Sequence, residues 1–221
     1  MASQQKVRVK ICGITRLEDA RLAVALGADA LGFNFYEKSS RCLSPSDAWN
    51  ILRKLPAIVS TVGVFVNWDD SSIVALAKSL RLSAVQLHGD ESEVIAARCA
   101  KFFPVIKAFR TSPKFSLAEL RRFTAASSFL LDAAPPTAGS SIYGGTGQLA
   151  NWKVAASAAK KFPILLAGGL TSEKVGEAIV AVRPYAVDVA SGVESRPGKK
   201  DPSKLRAFFA EVSRANHDLS V

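Results

Sequence analysis

Short apolar, β-branched runs alternate with amphipathic stretches along the whole chain. The runs at 7–12, 30–35, 58–66, 84–87, 103–109, 128–132, 163–167 and 186–190 predict strands. Helical periodicity predicts helices at 17–26, 46–55, 71–80, 91–100, 117–125, 151–161, 172–182 and 202–215. The strands are near-continuously apolar, as strands covered on both faces of a parallel sheet should be. Eight strand–helix pairs recur at intervals of roughly 20–35 residues, the size of one βα unit. An α/β fold follows, and eight units favour closure into a single (β/α)8 TIM barrel over an open doubly wound sheet. With no break in composition, residues 1–221 are expected to form one barrel domain.

Local punctuation agrees with this alternation. Thr15-Arg16-Leu17-Glu18, Asp90-Glu91-Ser92-Glu93 and Ser116-Leu117-Ala118-Glu119 fit capping boxes, in which side chains satisfy free amides at a helix start. Ser44-Pro45 and Asp201-Pro202 put proline at the first helical position, where its missing N–H costs nothing. Gly27 stands where the first helix needs a left-handed C-terminal residue.

Composition narrows the function classes. The 221 residues are 48% hydrophobic and 22% charged, which excludes disordered, collagenous and coiled-coil chains. Apolar runs are short, Ile164 to Ala167 among them, so no membrane span is expected. Met1 to Lys10 is polar and basic without an apolar core behind it, so no secretory signal is expected there. Cys12, Cys42 and Cys99 form no Cys-x-x-Cys pair, which predicts a reduced, cytoplasmic protein with neither a disulfide framework nor a zinc site. The 29 Lys and Arg outnumber 19 Asp and Glu, giving a formal charge of +10. Those cations are dispersed, with Arg196, Lys199 and Lys200 the densest group, so a small anionic ligand is expected and nucleic acid is not. Monomer is favoured over homodimer.

In barrels of this kind, chemistry sits where strands run into the following loops. Cys12 ends the first strand and Asp132 the sixth; a carboxylate closing an apolar run is costly unless hydrogen-bonded or used. Taken by itself, Cys12 reads first as a buried small hydrophobe, the usual state of a free cysteine. Asp188 interrupts the eighth strand, where a charge needs partners. Arg41 and His88 lie in the loops after strands two and four, and Arg41 suits a carboxylate because guanidinium pairs bidentately. Gly168-Gly169 and Ser191-Gly192 follow strands seven and eight, the loops that commonly bind phosphate in this fold. No paired histidines or His/Cys cluster suggests a metal.

The segments Val9-Lys10-Ile11-Cys12-Gly13-Ile14-Thr15, Ser39-Ser40-Arg41, Val85-Gln86-Leu87-His88-Gly89 and Leu131-Asp132 together resemble the phosphoribosylanthranilate isomerase family. Gly144-Gly145-Thr146-Gly147, Ala167-Gly168-Gly169-Leu170, Val187-Asp188-Val189-Ala190-Ser191-Gly192-Val193-Glu194 and Pro197-Gly198-Lys199-Lys200-Asp201 extend the likeness over nearly the whole chain. The resemblance implies a cofactor-free Amadori rearrangement of N-(5'-phosphoribosyl)anthranilate, a phosphoribosyl small molecule. It implies Asp132 as general acid, Cys12 as thiolate base and Arg41 as partner of the anthranilate carboxylate. His88 and Asp188 would line the substrate, and Gly145, Gly168, Gly169, Ser191 and Gly192 would hold the phosphate. A thiol of ordinary pKa about 8.5 needs help to ionise, and Lys10 or Arg41 nearby is expected to supply it. The related histidine-pathway isomerase has aspartate where Cys12 stands, so Cys12 favours the anthranilate substrate; a silent sugar-phosphate-binding barrel is the non-enzymatic alternative. The stretch 133–143 after Asp132 has a composition that suits a lid, and Leu149-Ala150-Asn151-Trp152 lacks the acidic residue often found there in the family.

Overall fold

A computed structural model describes residues 6–112, 115–133 and 151–219. Eight parallel strands close in sequence order: β1 (Arg8–Ile11), β2 (Ala30–Asn34), β3 (Ser60–Phe65), β4 (Ala84–Leu87), β5 (Val105–Thr111), β6 (Ser128–Ala133), β7 (Ile164–Leu166) and β8 (Ala186–Val189). Helices α1 (Leu17–Ala25), α2 (Pro45–Leu52), α3 (Asp70–Ser79), α4 (Glu93–Ala100), α5 (Leu117–Arg122), α6 (Trp152–Ala159), α7 (Ser172–Val182) and α8 (Pro202–Asp218) alternate with them. The expected (β/α)8 barrel is therefore present. One insertion was not legible in the hydrophobic pattern: a 3₁₀ turn (Ser191–Val193) and a small hairpin, β9 (Glu194–Arg196) with β10 (Lys199–Lys200), between β8 and α8.

The two faces of each strand serve different layers. Inside the barrel, Val62, Ile106, Ala108, Leu130, Leu165, Ala167 and Ala186 form a compact apolar plug. The opposite faces, including Val9, Ile11, Leu31, Phe33, Phe65, Leu87, Phe129 and Val187, pack under the helices as one continuous core. This alternation sends Lys10 and Cys12, two residues apart, to the same inner face at the mouth of the barrel.

Several expected boundaries moved for identifiable reasons. Ile58 is 93% exposed and β3 begins only at Ser60, after a turn at Pro56. The first expected capping box does not form: α1 is preceded by Arg16 with no side-chain cap, and the Thr15 hydroxyl instead donates to the Gly198 carbonyl, tying the β1 loop to the hairpin. At α4 the cap is Ser92, because Asp90 is engaged by Arg110 at 3.1 Å. Ser116 forms its capping box with Glu119, Ser44 and Asp201 cap their proline-led helices, and Gly27 takes φ 99° after α1. The stretch 134–143 and Gly145 lie outside the described residues.

A buried ion pair braces the loop that carries His88. On the outer face of β5, Lys107 Nζ lies 2.8 Å from Glu91 Oε2 and donates to the carbonyls of Leu87 (3.3 Å) and Gly89 (2.7 Å). Glu91 in turn accepts from the amides of Asn67 (2.8 Å) and Gly89 (3.0 Å). Burial lowers the Lys107 pKa despite the attraction of Glu91, so the charged state depends on that partner. Removing one member of such a pair strands a buried charge. Glu91→Ala is expected to cost about 3–5 kcal/mol by urea unfolding. Glu91→Leu combined with Lys107→Met should recover most of that loss; an unchanged unfolding midpoint in the single variant would show the brace to be dispensable.

Candidate active site at the barrel mouth

Cys12 follows β1 directly and its amide donates to the Val189 carbonyl of β8 at 2.8 Å. Where β8 pairs with β1, Asp188 stands in register with Lys10. Their side chains form a buried ion pair, Lys10 Nζ to Asp188 Oδ1 at 2.7 Å. On the other side, β2 places Gly32 against the same groups: a Cβ there would lie 2.8 Å from Cys12 Sγ and 3.1 Å from Lys10 Nζ. The absence of a side chain at Gly32 is therefore what admits the thiol and the ammonium side by side.

A second ion cluster lies under the Cys12 backbone. Lys200 Nζ, fully buried, donates to the carbonyls of Cys12 (2.6 Å) and Ala190 (3.1 Å) and to Glu194 Oε1 (2.9 Å). Glu194 also receives Arg41 in a fork, Nε to Oε1 at 2.9 Å and Nη2 to Oε2 at 2.7 Å. Gly13, at φ 71°, makes room for this arginine, since a Cβ there would collide with Arg41 Cδ. Glu194 was not among the residues expected from sequence, nor was Lys200; both arrive on the hairpin that the hydrophobic pattern did not announce. Lys10 was detectable as the same-face neighbour of Cys12.

These charges act on Cys12 in opposite directions. Burial raises its thiol pKa, Lys10 and Lys200 oppose that rise, and Asp188 adds to it; the outcome is a raised value. The expected downward tuning is thus absent in this arrangement, because desolvation of the thiolate outweighs the two cations. Burial also works against the Lys10 charge, but Asp188 and Cys12 more than compensate and leave its pKa raised. Glu194, despite burial, is held below the ordinary carboxylate value by Arg41 and Lys200.

Asp132 stands on β6, three strands round the barrel from β1 by way of β8 and β7. It is buried, and His88 Nε2 lies 3.6 Å from its Oδ2. Gln86 Nε2 lies 2.6 Å from His88 Nδ1, a contact that orients the ring with Nε2 facing Asp132. The barrel mouth thus gathers Cys12, Asp132, His88, Asp188 and Arg41 on one rim.

The two glycine loops are also neighbours there. Gly168 and Gly169 both have positive φ (85° and 61°), and Gly192 packs so tightly on the Leu170 carbonyl that a Cβ could not fit. Ser191 and Gly192 open the 3₁₀ turn. Among the described residues, the amides of Gly168, Gly169, Ser191 and Gly192 donate to no protein acceptor. Such a cluster of amides suits a phosphate. No group of three or more His, Cys, Asp or Glu placed to hold a metal occurs among the described residues. No described helix is long and apolar enough to cross a membrane.

Known proteins resemble this chain over nearly its whole length. Residues 9–211 match the family model for N-(5'-phosphoribosyl)anthranilate (PRA) isomerase. The N-(5'-phosphoribosyl)anthranilate isomerase of Geobacter metallireducens is 50% identical over 203 residues, covering 92% of this chain and 97% of that one. The crystal structure of phosphoribosyl anthranilate isomerase from Thermotoga maritima aligns with a TM-score of 0.86 at 43% identity, over 94% of this chain and 99% of that one. A phosphoribosyl anthranilate isomerase in complex with reduced 1-(o-carboxyphenylamino)-1-deoxyribulose 5-phosphate aligns with a TM-score of 0.83 at 41% identity, over 94% of this chain and 99% of that one.

Glu194 is the joint between Arg41 and Lys200, and its removal should show in stability. Because its folded pKa lies below the ordinary value of 4.5, the stabilisation from its charge is complete above that pH. It is lost as pH falls through the lower folded value. Glu194→Gln is therefore expected to lower the Tm most at neutral pH, with the gap from wild type closing on acidification. A gap independent of pH would mean that the charge contributes nothing.

Proposed function

The chain belongs to the N-(5'-phosphoribosyl)anthranilate isomerase family, and on that premise we propose that it converts N-(5'-phosphoribosyl)anthranilate to 1-(o-carboxyphenylamino)-1-deoxyribulose 5-phosphate in tryptophan biosynthesis. The observation that carries this reading is the single barrel rim on which a thiol, a carboxyl group, a guanidinium and two amide-lined glycine loops converge. The rearrangement needs an acid and a base at different points of one sugar, and no redox step.

Asp132 is the general acid. It gives its proton to the ribose ring oxygen as the bond from that oxygen to C1' breaks, and the amine lone pair forms the C1'=N bond of a Schiff base. Cys12, as thiolate, then removes the proton on C2'; the electron pair of that C–H bond becomes the C1'=C2' bond of an enolamine while the C1'=N π pair returns to nitrogen. Tautomerisation gives the ketone. His88, with its Nε2 at 3.6 Å from Asp132, lines the sugar beside the acid. Arg41 meets the anthranilate carboxylate. Its Nε and Nη2 are committed to Glu194, so the fork is held rigid and Nη1 is the nitrogen left for substrate. Asp188 borders the sugar next to Cys12, and Gly168, Gly169, Ser191 and Gly192 receive the phosphate, as does Gly145.

The working unit is a monomer in the cytoplasm. Among the described residues, the large exposed apolar side chains, Trp49, Ile58, Val94, Phe102, Val180 and Tyr185, are spread over several elements and loops, which supports a surface without one dominant contact face.

Turnover of freshly prepared phosphoribosylanthranilate, followed by loss of its fluorescence, tests the assignment. Cys12→Ser and Asp132→Asn should each lose about 10²- to 10⁴-fold in kcat with folding intact. Near-normal turnover in either folded variant removes that residue from its role, and no turnover in folded wild type removes the activity. Light scattering after gel filtration should return the mass of one chain; a mass twice that would overturn the monomer.

A further inference from the structure

The reaction needs Cys12 ionised, yet its surroundings hold the thiol above its ordinary range. Five charged groups act around it. Lys10 approaches from the same strand, Asp188 from β8, Lys200 from β10 beneath the backbone, and Arg41 from the loop after β2, held by Glu194 of β9. Three are cations and two are carboxylates, so one positive charge is left over, the charge that a single thiolate would neutralise. Of the three cations, Lys200 and Arg41 share Glu194 and face the backbone and the loop. Lys10 alone sits beside the sulfur, in the space Gly32 leaves open.

We propose that Lys10 is the positioning residue that lets Cys12 serve as a thiolate base, and that Asp188 both anchors the Lys10 ammonium and restrains its effect. The inference rests on the isomerase reading for its purpose, although its physical content concerns only the thiol. Lys10 is buried and its Nζ is fixed at 2.7 Å from Asp188, so it reaches the sulfur without the entropy loss of a mobile surface lysine. Asp188 grips the ammonium from β8. Its negative charge keeps Lys10 protonated and in place, while opposing a second negative charge on Cys12. The pair therefore acts as a graded electrostatic setting: without Lys10 the thiolate loses its adjacent cation, whereas without Asp188 the thiolate itself becomes the anion that keeps Lys10 charged, so the two removals move the thiol in opposite directions.

That opposition is the test, and it needs no substrate. The rate of Cys12 alkylation by iodoacetamide, resolved from Cys42 and Cys99 by peptide mass spectrometry, follows the thiolate fraction at a fixed mildly alkaline pH. An adjacent opposite charge shifts a pKa by about 1–3 units, so Lys10→Met should slow alkylation about tenfold or more. Asp188→Asn should speed it several-fold, and Lys10→Arg, which keeps the charge, should stay near wild type. A barrel merely loosened by substitution would expose the thiol and speed all three variants. An unchanged or faster rate in Lys10→Met overturns the proposal, as does a slower or unchanged rate in Asp188→Asn. If Lys10→Met does not fold, Asp188→Asn decides with buried Cys99 as internal control: faster alkylation of Cys12 with Cys99 at its wild-type rate supports the proposal, and any other result overturns it. These rates are independent of turnover: an inactive wild type with the opposed shifts would sink the isomerase reading and leave the electrostatic pair standing. An active wild type without them would do the reverse.

Discussion

Closure of the barrel between β8 and β1 is the contact on which the site depends. It sets Asp188 in register with Lys10 and hydrogen-bonds the Cys12 amide to Val189, so one backbone seam fixes the thiol and the ion pair beside it. Neither charge would survive in this interior alone. An isolated buried ammonium or carboxylate neutralises itself by shifting its pKa, whereas a pair held at hydrogen-bond distance keeps both charges. The seam that completes the fold is thus also the seam that makes a charged interior tenable.

The Lys200–Glu194–Arg41 cluster repeats the same solution beneath the Cys12 backbone. Lys200 ties the carbonyls after β1 and β8 together, and Glu194 transmits that anchorage to Arg41. The guanidinium is consequently set by the ends of the closing strands even though it belongs to the loop after β2. Rigid placement matters because a positioned cation aligns substrate without reordering when it binds. Three glycines serve these clusters by giving up volume: Gly32 beside the thiol, Gly13 beside Arg41 and Gly192 against the Leu170 carbonyl. Two adjacent glycines at positive φ, Gly168 and Gly169, turn the opposing loop toward the same rim.

Much of this was legible in the chain. Eight apolar runs separated by helical periods specify the alternation, since a parallel strand covered on both faces has no polar side to hide. Cys12, Asp132, Asp188, His88 and the paired glycines stand out because each interrupts such a run or closely follows it, and Arg41 because it lies in the loop after the second. The capping rules held where no distant segment claims the capping side chain, as at Ser44, Ser116 and Asp201. They failed at Thr15 and Asp90, whose side chains are claimed by Gly198 and Arg110 from distant segments.

That contrast marks the boundary. Periodicity, chain punctuation and residue type are local properties, and they were enough to specify the element order, the barrel and which residues reach its mouth. Who partners whom was decided by closure, because Lys10 and Asp188 are 178 residues apart and Arg41 and Glu194 are 153 apart. No local pattern encodes those distances. The importance of Lys200 and Glu194, and the direction in which the Cys12 thiol is pushed, arise only when burial removes water and a few long-range charges are left to act on one another.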